Sequence, residues 1–245
     1  MVRTGDGPAA PALKLTVEPH APSPRAIAKA ASVIRKGGLV AFPTDTLYAL
    51  GADVSNTSAV RRVLAAKGRG TANPIPLLLA DLAMATRLIG DLPEPAARLA
   101  ERYWPGPLTL VLSAPRGMSR LLTAGTGRIG LRVPDAPVAL ALILRLGGPV
   151  TGTSANRSGG EDPREADEVL RQLGDRIELI LDGGPVPIGR PSTVVDVTVS
   201  PPVIVRQGVI QPDEIFGLLG AQSHSRRATR RSGGMLKAVG KPRKT

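Results

Sequence analysis

Residues 138–160 read VALALILRLGGPVTGTSANRSGG and hold three patterns in succession. The apolar run at 138–146 predicts a buried helix, which a pair of glycines ends. The next residues, PVTG at 149–152, predict a short buried strand, and a polar loop rich in glycine follows them. A helix, a strand and then a polar loop are typical of α/β proteins, in which ligands bind beyond the ends of the strands.

The same alternation extends in both directions along the chain. Short apolar runs predict strands at 38–42 and 108–113, among others, with helical stretches between them. The first helix is expected to have Ser23 as its N-cap and to end before Gly37. We therefore predict an α/β fold with one domain at 23–220, in which helices flank a twisted mixed sheet.

The two ends of the chain differ from this middle part. Residues 1–22 are rich in Pro and Ala and predict an irregular N-terminal segment. Residues 221–245 contain eight Lys and Arg and no Asp or Glu, so they carry most of the net charge of +12. They are expected to form a disordered basic tail. This tail either makes a weak contact with RNA or only solubilises the protein.

Several classes of chemistry are excluded by residues that the chain lacks. It has no Cys, which excludes a disulfide framework and thiolate catalysis. Its two histidines, His20 and His224, lie in the weakly patterned ends, which argues against histidine-ligated zinc and against a histidine base. No phosphate-loop or dinucleotide-binding motif appears, so a nucleotide needs another cradle. No carboxylate cluster indicates a metal site.

The hydropathy pattern bears on the compartment. No run of about 18 apolar residues is present, so no membrane span is expected. The N-terminal residues lack the apolar segment of a signal peptide. We therefore expect a cytoplasmic protein that does not contact a membrane.

One candidate binding loop is FPTDTLYALG at 42–51, which follows a predicted strand. Thr44, Asp45 and Thr46 offer hydroxyls and a carboxylate there, although an ordinary turn also explains them. Arg132 lies inside a predicted apolar strand. Because a buried charge needs a partner, Arg132 is expected to find an anionic group or to reach the rim of the fold.

A second candidate loop is AKGRGTANP at 66–74. Lys67 and Arg69 flank a glycine directly after a predicted helix, and Asn73 follows. Two cations on a tight turn suit a polyphosphate. The alternative is a helix C-terminus whose basic residues only favour the helix dipole.

The polar loop at 151–160 is the third candidate, because Ser154 and Asn156 stand among small residues there. Such a loop predicts a nest of backbone N–H groups for an anion. Ser192 precedes one predicted strand and Arg206 ends the next. Each of these two, taken alone, is more often a solvated surface residue.

Read together, these stretches resemble the YrdC family of threonylcarbamoyl-AMP synthases over about residues 26–219. The landmarks are FPTDTLYALG, KGR, WPGPLTLVL, GLRVPD, TSANRSG, LILDGGP and PSTVVD. The resemblance implies a YrdC-like fold in its short, single-domain form, with a concave, positively charged cavity.

The resemblance also implies an enzyme, a nucleotidyltransferase. It would make threonylcarbamoyl-AMP and pyrophosphate from L-threonine, bicarbonate and ATP, with Mg²⁺ carried by ATP. Its product would pass to the machinery that modifies the adenosine beside the tRNA anticodon. The implied catalytic residues are Lys67, Arg69, Ser154 and Asn156. The implied ATP site is Lys67, Arg69, Asn73, Ser154 and Arg206. The implied threonine site is Thr46, Arg132 and Ser192.

The sequence departs from the family pattern at five positions, which are Ala49, Leu78, Arg128, Asp162 and Pro191. Some of these also resemble the YciO branch, whose members lack the Lys-x-Arg and Ser-Ala-Asn motifs. An alternative function is therefore hydrolysis of threonylcarbamoyl-AMP or action on another nucleotide. A second alternative is a non-catalytic RNA-binding protein, for which the five aromatic residues leave few rings for base stacking.

Overall fold

The computed structural model describes residues 11–220, which alternate between strands and helices for most of their length. The α/β fold with flanking helices that the sequence predicts is confirmed. In chain order the elements are β1 (Leu13–Thr16), α1 (Pro24–Arg35), β2 (Val40–Pro43), β3 (Tyr48–Gly51), α2 (Thr57–Lys67), β4 (Leu77–Leu78), α3 (Leu82–Ile89), α4 (Glu94–Tyr103), β5 (Leu108–Ser113), α5 (Arg120–Thr123), β6 (Arg128–Arg132), α6 (Pro137–Leu146), β7 (Val150–Thr151), β8 (Thr153–Ser154), α7 (Ala166–Leu173), β9 (Leu179–Asp182), β10 (Thr193–Asp196), β11 (Val203–Arg206) and α8 (Pro212–Leu219).

Local signals set the ends of the first two helices. Ser23 occupies the N-cap position of α1, although its side chain accepts no hydrogen bond from the helix. Asn56 caps α2, because its side-chain oxygen accepts the N–H of Ala59 at 3.1 Å. Gly68 ends α2 in the left-handed region, with φ of 59°. The turn at this glycine separates the direction of the last helical side chain from that of the residue that follows.

The prediction of one mixed sheet is wrong, since the strands form two. One sheet has the order β1-β9-β2-β3-β8, and the other has the order β11-β10-β5-β6-β4-β7. Each sheet mixes parallel and antiparallel pairs. One continuous cluster of buried apolar side chains packs against both sheets. Apolar runs predict where strands lie but do not specify which strands pair, because pairing joins residues far apart in the chain.

The chain passes from one sheet to the other within residues 150–154. β7 belongs to the six-stranded sheet and β8 to the five-stranded sheet. Gly152, between them, donates its N–H to the carbonyl of Pro76 at 2.8 Å. A Cβ on Gly152 would lie 2.4 Å from Cγ of Leu78, which is too close for any side chain. The polar loop after β8 therefore starts at the junction of the two sheets.

The N-terminal segment was predicted to be irregular over 1–22, and this is wrong for residues 13–16. These residues form β1, which pairs in parallel with β9 at the edge of the five-stranded sheet. Leu13 and Leu15 alternate with Lys14 and Thr16 as in a strand, but the run is only four residues long and lies in a segment rich in Pro and Ala, so the signal is weak. The predicted tail at 221–245 lies outside the described residues. Within 11–220, no helix has the length and apolar character that a membrane crossing requires.

Candidate active site

A cavity of about 570 Å³ opens where the two sheets meet. The five-stranded sheet contributes residues of β3 and β8 to its wall, and the six-stranded sheet contributes residues of β4, β5, β6, β10 and β11. Among the described residues that line it are four arginines, several hydroxyl groups and one carboxylate, that of Asp162. The way each arginine is held decides what the cavity can bind.

Arg69 lies on the wall just beyond α2. Its Nη1 donates to Oγ1 of Thr153 at 3.2 Å, and its Nη2 donates to the carbonyl of Pro74 at 3.0 Å. Both acceptors are neutral, and no carboxylate of the described chain lies within 4 Å of this guanidinium. Burial and the nearby charge of Arg206 lower the pKa of Arg69, which nevertheless stays protonated at neutral pH.

Arg206 is held in the same manner. Its Nε and Nη2 donate to the carbonyl of Ser192 at 3.2 and 2.9 Å, and Nη2 also donates to the Ser192 hydroxyl at 3.1 Å. That hydroxyl lies 2.8 Å from Oγ1 of Thr109. No carboxylate within residues 11–220 approaches Arg206 to 4 Å. We call Arg69 and Arg206 the neutral-partner arginines.

Arg132 is the ion-paired arginine of the cavity. Its Nε donates to the carbonyl of Gly106 at 2.9 Å, and its Nη1 donates to Oγ1 of Thr46 at 2.7 Å. Its Nη2 donates to Oδ1 of Asp45. Both charged side chains are almost fully buried, with 7% and 5% of their side-chain area exposed. Of the two outcomes expected for Arg132, an anionic partner or the rim of the fold, the structure shows the first, and the partner is Asp45.

The second oxygen of Asp45 differs from the first. Oδ2 is buried and has no hydrogen-bond partner within the described chain. Burial raises the pKa of the Asp45 carboxyl, and the charge of Arg132 opposes this. Protonation of Asp45 at neutral pH would leave Arg132 as a buried charge without a counter-ion, so the pair is ionised.

Arg128 also reaches the cavity and is also paired. Its Nη1 lies 2.8 Å from Oδ2 of Asp196, a carboxylate that further accepts the N–H and the hydroxyl of Thr198. The Arg128 side chain is 45% exposed, so solvent weakens the attraction between the two charges. Arg128 therefore adds little net positive charge to the wall.

Lys67 lies behind the wall of the cavity. Although two residues from Arg69, it is buried and is not among the lining residues. Its ammonium group donates to the carbonyls of Ser154 and Asn156, at 2.5 and 2.7 Å, and to Oδ1 of Asn156 at 3.1 Å. Burial, reinforced by the charge of Arg69, lowers the pKa of Lys67 to about 8. The three hydrogen bonds of the Lys67 ammonium group thus go to the end of β8 and to the loop that follows it.

That loop presents side chains rather than backbone donors. The N–H groups of Ala155, Arg157, Ser158 and Gly160 all donate to other groups of the protein. The prediction of a backbone N–H nest is therefore wrong for these four residues. Ser154 lines the cavity, and its hydroxyl donates to Oδ1 of Asn156 at 2.7 Å. The lysine of the helix and the amide of the loop hold this serine in place.

Metal binding by the protein alone has little support in the geometry. Among residues 11–220, no group of three or more His, Cys, Asp or Glu side chains could hold a metal ion. Asp162 is exposed and offers one carboxylate to the cavity. One carboxylate is enough for a magnesium ion only when phosphate groups supply further ligands.

The family is shown by a match over residues 32–208 to the Sua5/YciO/YrdC family model, whose description reads "Telomere recombination". The chain belongs to this family. Two similar relatives are the threonylcarbamoyl-AMP synthases of Bacillus subtilis, 44% identical over 195 residues, and of Pyrococcus abyssi, 42% identical over 191 residues. These alignments cover 79% and 78% of this chain but only 56% of each relative. The chain thus spans just over half the length of these two relatives.

Solved structures of this Sua5/YciO/YrdC family have the same fold. P. abyssi Sua5 complexed with L-threonine superposes with a TM-score of 0.81 at 40% identity, covering 85% of this chain and 61% of that one. Escherichia coli YciO superposes with a TM-score of 0.76 at 31% identity, covering 84% of this chain and 99% of that one. In sequence, E. coli YciO is 34% identical over 196 residues, which are 79% of this chain and 94% of YciO.

The structure brings most of the sequence-predicted site residues of this family member to one cavity. Those that line it are Thr46, Arg69, Asn73, Arg132, Ser154, Ser192 and Arg206. Lys67 and Asn156 do not line it and act on its wall from behind. Ser192, predicted with the threonine set, contacts Arg206, predicted with the ATP set. The five departures also lie on the cavity wall: Ala49, Leu78, Arg128, Asp162 and Pro191.

Two residues that hold arginines were missing from the predicted site. Asp45 belongs to a candidate binding loop but not to the predicted threonine site, although Arg132 in an apolar strand needs either an anion or the rim and Asp45 follows a neighbouring apolar run. Thr153, which holds Arg69, carries no such signal, since one threonine in a polar loop looks like any other. Only the pairing of β8 with β3 places Thr153 beside this arginine.

Proposed function

We propose that this protein makes threonylcarbamoyl-AMP and pyrophosphate from L-threonine, bicarbonate and ATP, as a nucleotidyltransferase. The observation that carries the proposal is the pairing of two kinds of arginine in one cavity. Arg69 and Arg206 have no carboxylate partner within 4 Å among the described residues, which suits a polyphosphate, whereas Arg132 with Thr46 suits the carboxylate of an amino acid. The names of the relatives, threonylcarbamoyl-AMP synthases, support the proposed activity.

The reaction needs little from the protein beyond positioning. The amine of threonine takes up bicarbonate with loss of water to form a carbamate, and an oxygen of the carbamate attacks the α-phosphorus of ATP. The bond to the β-phosphate oxygen breaks and pyrophosphate leaves. Holding the two reactants in line and neutralising the phosphate charge account for most of the catalysis in such transfers.

In this proposal the cavity residues divide the work. Arg69 and Arg206, with Asn73 and Ser154, bind the phosphates of ATP, and the two guanidinium groups stabilise the charge that develops on the leaving pyrophosphate. For L-threonine, the site is formed by Thr46, Arg132 and Ser192. Lys67 and Asn156 hold the loop that carries Ser154, and so act without touching ATP.

Magnesium enters the proposal with ATP. Asp162, an exposed carboxylate on the wall, fits a magnesium ion that the phosphates of ATP also bind. When bound, the ion adds positive charge at the leaving phosphates. We further propose that the product passes to the machinery that completes the tRNA modification and that the enzyme works in the cytoplasm.

Pyrophosphate release tests the proposed function directly. Purified full-length protein with ATP, magnesium and bicarbonate is expected to release pyrophosphate only when threonine is present. Arg69→Ala is expected to lower this rate by about a hundredfold or more, because it removes a donor aimed at the phosphates. Release that does not depend on threonine would contradict the proposal.

A YciO-like activity is the second candidate, because E. coli YciO is 34% identical to this chain and is covered by it over nearly its whole length. It predicts breakdown of pure threonylcarbamoyl-AMP with no synthesis from ATP. The same samples decide between the two candidates, since the adenylate accumulates in one case and disappears in the other.

A further inference from the structure

The arginines of the cavity differ in what balances their charge. Arg132 donates to the carboxylate of Asp45, while the neutral-partner arginines, within residues 11–220, donate only to hydroxyl and carbonyl oxygens. Arg206 is near enough to both of the others for its charge to lower their pKa. An anion that enters the cavity therefore meets either an arginine already neutralised or an arginine that is not.

Arg132 retains donors for a ligand. A guanidinium has five N–H groups, and the contacts to Gly106, Thr46 and Asp45 use three of them. Because Arg132 lines the cavity, these remaining donors are the ones that a ligand carboxylate there would use. Any such ligand lies one guanidinium group away from the carboxylate of Asp45.

Asp45 keeps much of its negative charge available. Its residue is 4% exposed, one oxygen has no hydrogen-bond partner in the described chain, and solvent does not screen it. It does not line the cavity, so it acts on a ligand through the field rather than by contact. This field attracts a cation and repels an anion placed at Arg132.

We propose that Asp45 is a specificity-determining residue that keeps phosphate groups away from Arg132 and so directs them to Arg69 and Arg206. The part of this inference that places L-threonine at Arg132 rests on the proposed function. A zwitterion, with one carboxylate and one ammonium group, matches the neutral Arg132–Asp45 pair. A pyrophosphate or triphosphate does not match it, because the nearby carboxylate repels its several negative charges.

Asp162 also faces the cavity and also repels anions. Its charge reaches Arg206 and opposes the lowering of the Arg206 pKa, but Asp162 makes no ion pair within 4 Å with either neutral-partner arginine. Because Asp162 is exposed, water screens its charge, and one screened carboxylate does not cancel two guanidinium groups. The charge of Lys67 behind the wall further offsets it. The neutral-partner arginines therefore keep a net positive field.

Inorganic pyrophosphate is the probe for the first test. In calorimetric titrations we expect the wild type to bind one pyrophosphate per chain and Asp45→Asn to bind two, the second at Arg132. In Asp45→Asn, saturating pyrophosphate is expected to weaken threonine binding by about tenfold or more, while the wild type shows little change. Thr46→Val is the control for the number of pyrophosphates bound: it removes a contact of Arg132 and leaves the charge of Asp45, so it is expected to bind one. Its threonine affinity is not compared, because Thr46 belongs to the proposed threonine site.

The second test moves the carboxylate to the other arginine. Thr153→Asp gives Arg69 a charged partner in place of the hydroxyl at 3.2 Å, and is expected to weaken pyrophosphate binding by about tenfold. Thr153→Val removes the hydroxyl without adding charge and is expected to have a much smaller effect. This test decides the matter if Asp45→Asn does not fold.

The proposal is overturned if Asp45→Asn binds a single pyrophosphate and its threonine affinity stays insensitive to pyrophosphate. It is also overturned if Thr153→Asp binds pyrophosphate as tightly as Thr153→Val. Failure of the proposed function looks different. In that case the wild type binds no threonine, while the number of pyrophosphates bound by Asp45→Asn still tests the role of Asp45.

Discussion

Arg132 and Arg69 line the same cavity but differ in burial and in the charge of their hydrogen-bond partners. Arg132 is almost fully buried and its charge is balanced by Asp45. Arg69 is only partly buried and donates to two neutral oxygens. The first arrangement costs much to break, because either partner alone is a buried charge. The second costs little to build and leaves its charge for a ligand.

The difference shows that arginines on one cavity wall can have different roles. One stabilises the fold, and another is available to bind a ligand. The Arg132–Asp45 pair joins β6 to the turn between β2 and β3, and thus ties the two sheets together. Arg69 ties only its own loop to β8. Removing the first is expected to damage the fold, and removing the second only the function.

The largest effect is expected from Arg132→Met, compared with Arg69→Met. The first variant leaves the carboxylate of Asp45 buried without a cation and is expected to lower the free energy of unfolding by about 3–5 kcal/mol. The second leaves two neutral acceptors and is expected to cost about 1 kcal/mol. Urea denaturation followed by the fluorescence of the single tryptophan measures both. Equal losses would remove the distinction between the two arginines.

The next effect is on turnover and compares Arg206→Ala with Arg128→Ala. Arg206 has no carboxylate partner within 4 Å in the described chain, so its loss is expected to lower kcat for pyrophosphate release by about a hundredfold. Arg128 is paired with Asp196 and largely solvated, so its loss is expected to change kcat by less than about threefold. A loss in Arg128→Ala as large as that in Arg206→Ala would show that pairing does not decide which arginine acts.

A third, smaller effect concerns Lys67 and pH. Its folded pKa of about 8 lies below the ordinary 10.5, so the unfolded chain holds more protons between these values. The free energy of unfolding therefore rises with pH across this window, by about 3 kcal/mol at most from this group. The rise is measured as the difference between wild type and Lys67→Met, which lacks the titrating group. Parallel curves for the two proteins would show that burial does not depress the pKa of Lys67.

The smallest effect is expected from Thr153→Val, with Thr151→Val as its matched control. The Thr153 hydroxyl accepts a hydrogen bond from Arg69, so its loss is expected to raise the KM for ATP only about twofold, or about 0.5 kcal/mol. Thr151 is buried nearby and bonds the carbonyl of Leu50, away from the cavity lining. Its variant is expected to lose stability but to keep the KM for ATP. A similar rise in both would assign the effect to the strands instead of to Arg69.

Much of the fold could be predicted because its signals are local. The apolar run before Gly147 forms α6, Ser23 occupies the N-cap position of α1, Ser192 precedes its strand and Arg206 ends its own, all as expected. β1 differs from the prediction because its alternation of Leu and polar residues is too short to stand out in the N-terminal segment, and its position depends on pairing with β9. The second sheet was missed for the same reason, since pairing is a long-range property.

The sequence predicts which residues belong to the candidate site better than it predicts how they are arranged there. Lys67 and Arg69 are two residues apart and of like charge, so nothing local separates them. The turn at Gly68 sends one side chain into the loop after β8 and the other to the cavity wall. The need of Arg132 for an anion was predictable, but not the choice of Asp45 as its partner.

By itself, the sequence determined the positions of most helices and strands, the residues that can carry charge to a binding site, and the absence of histidine or cysteine from residues 21–220. These follow from composition and from periodicities of a few residues. Only the tertiary structure decided which arginines are paired with a carboxylate of the protein and which can bind an anionic ligand. Hydrogen bonds such as those of Arg132 and Lys67 join residues about 90 positions apart, and their geometry exists only once the two sheets have packed.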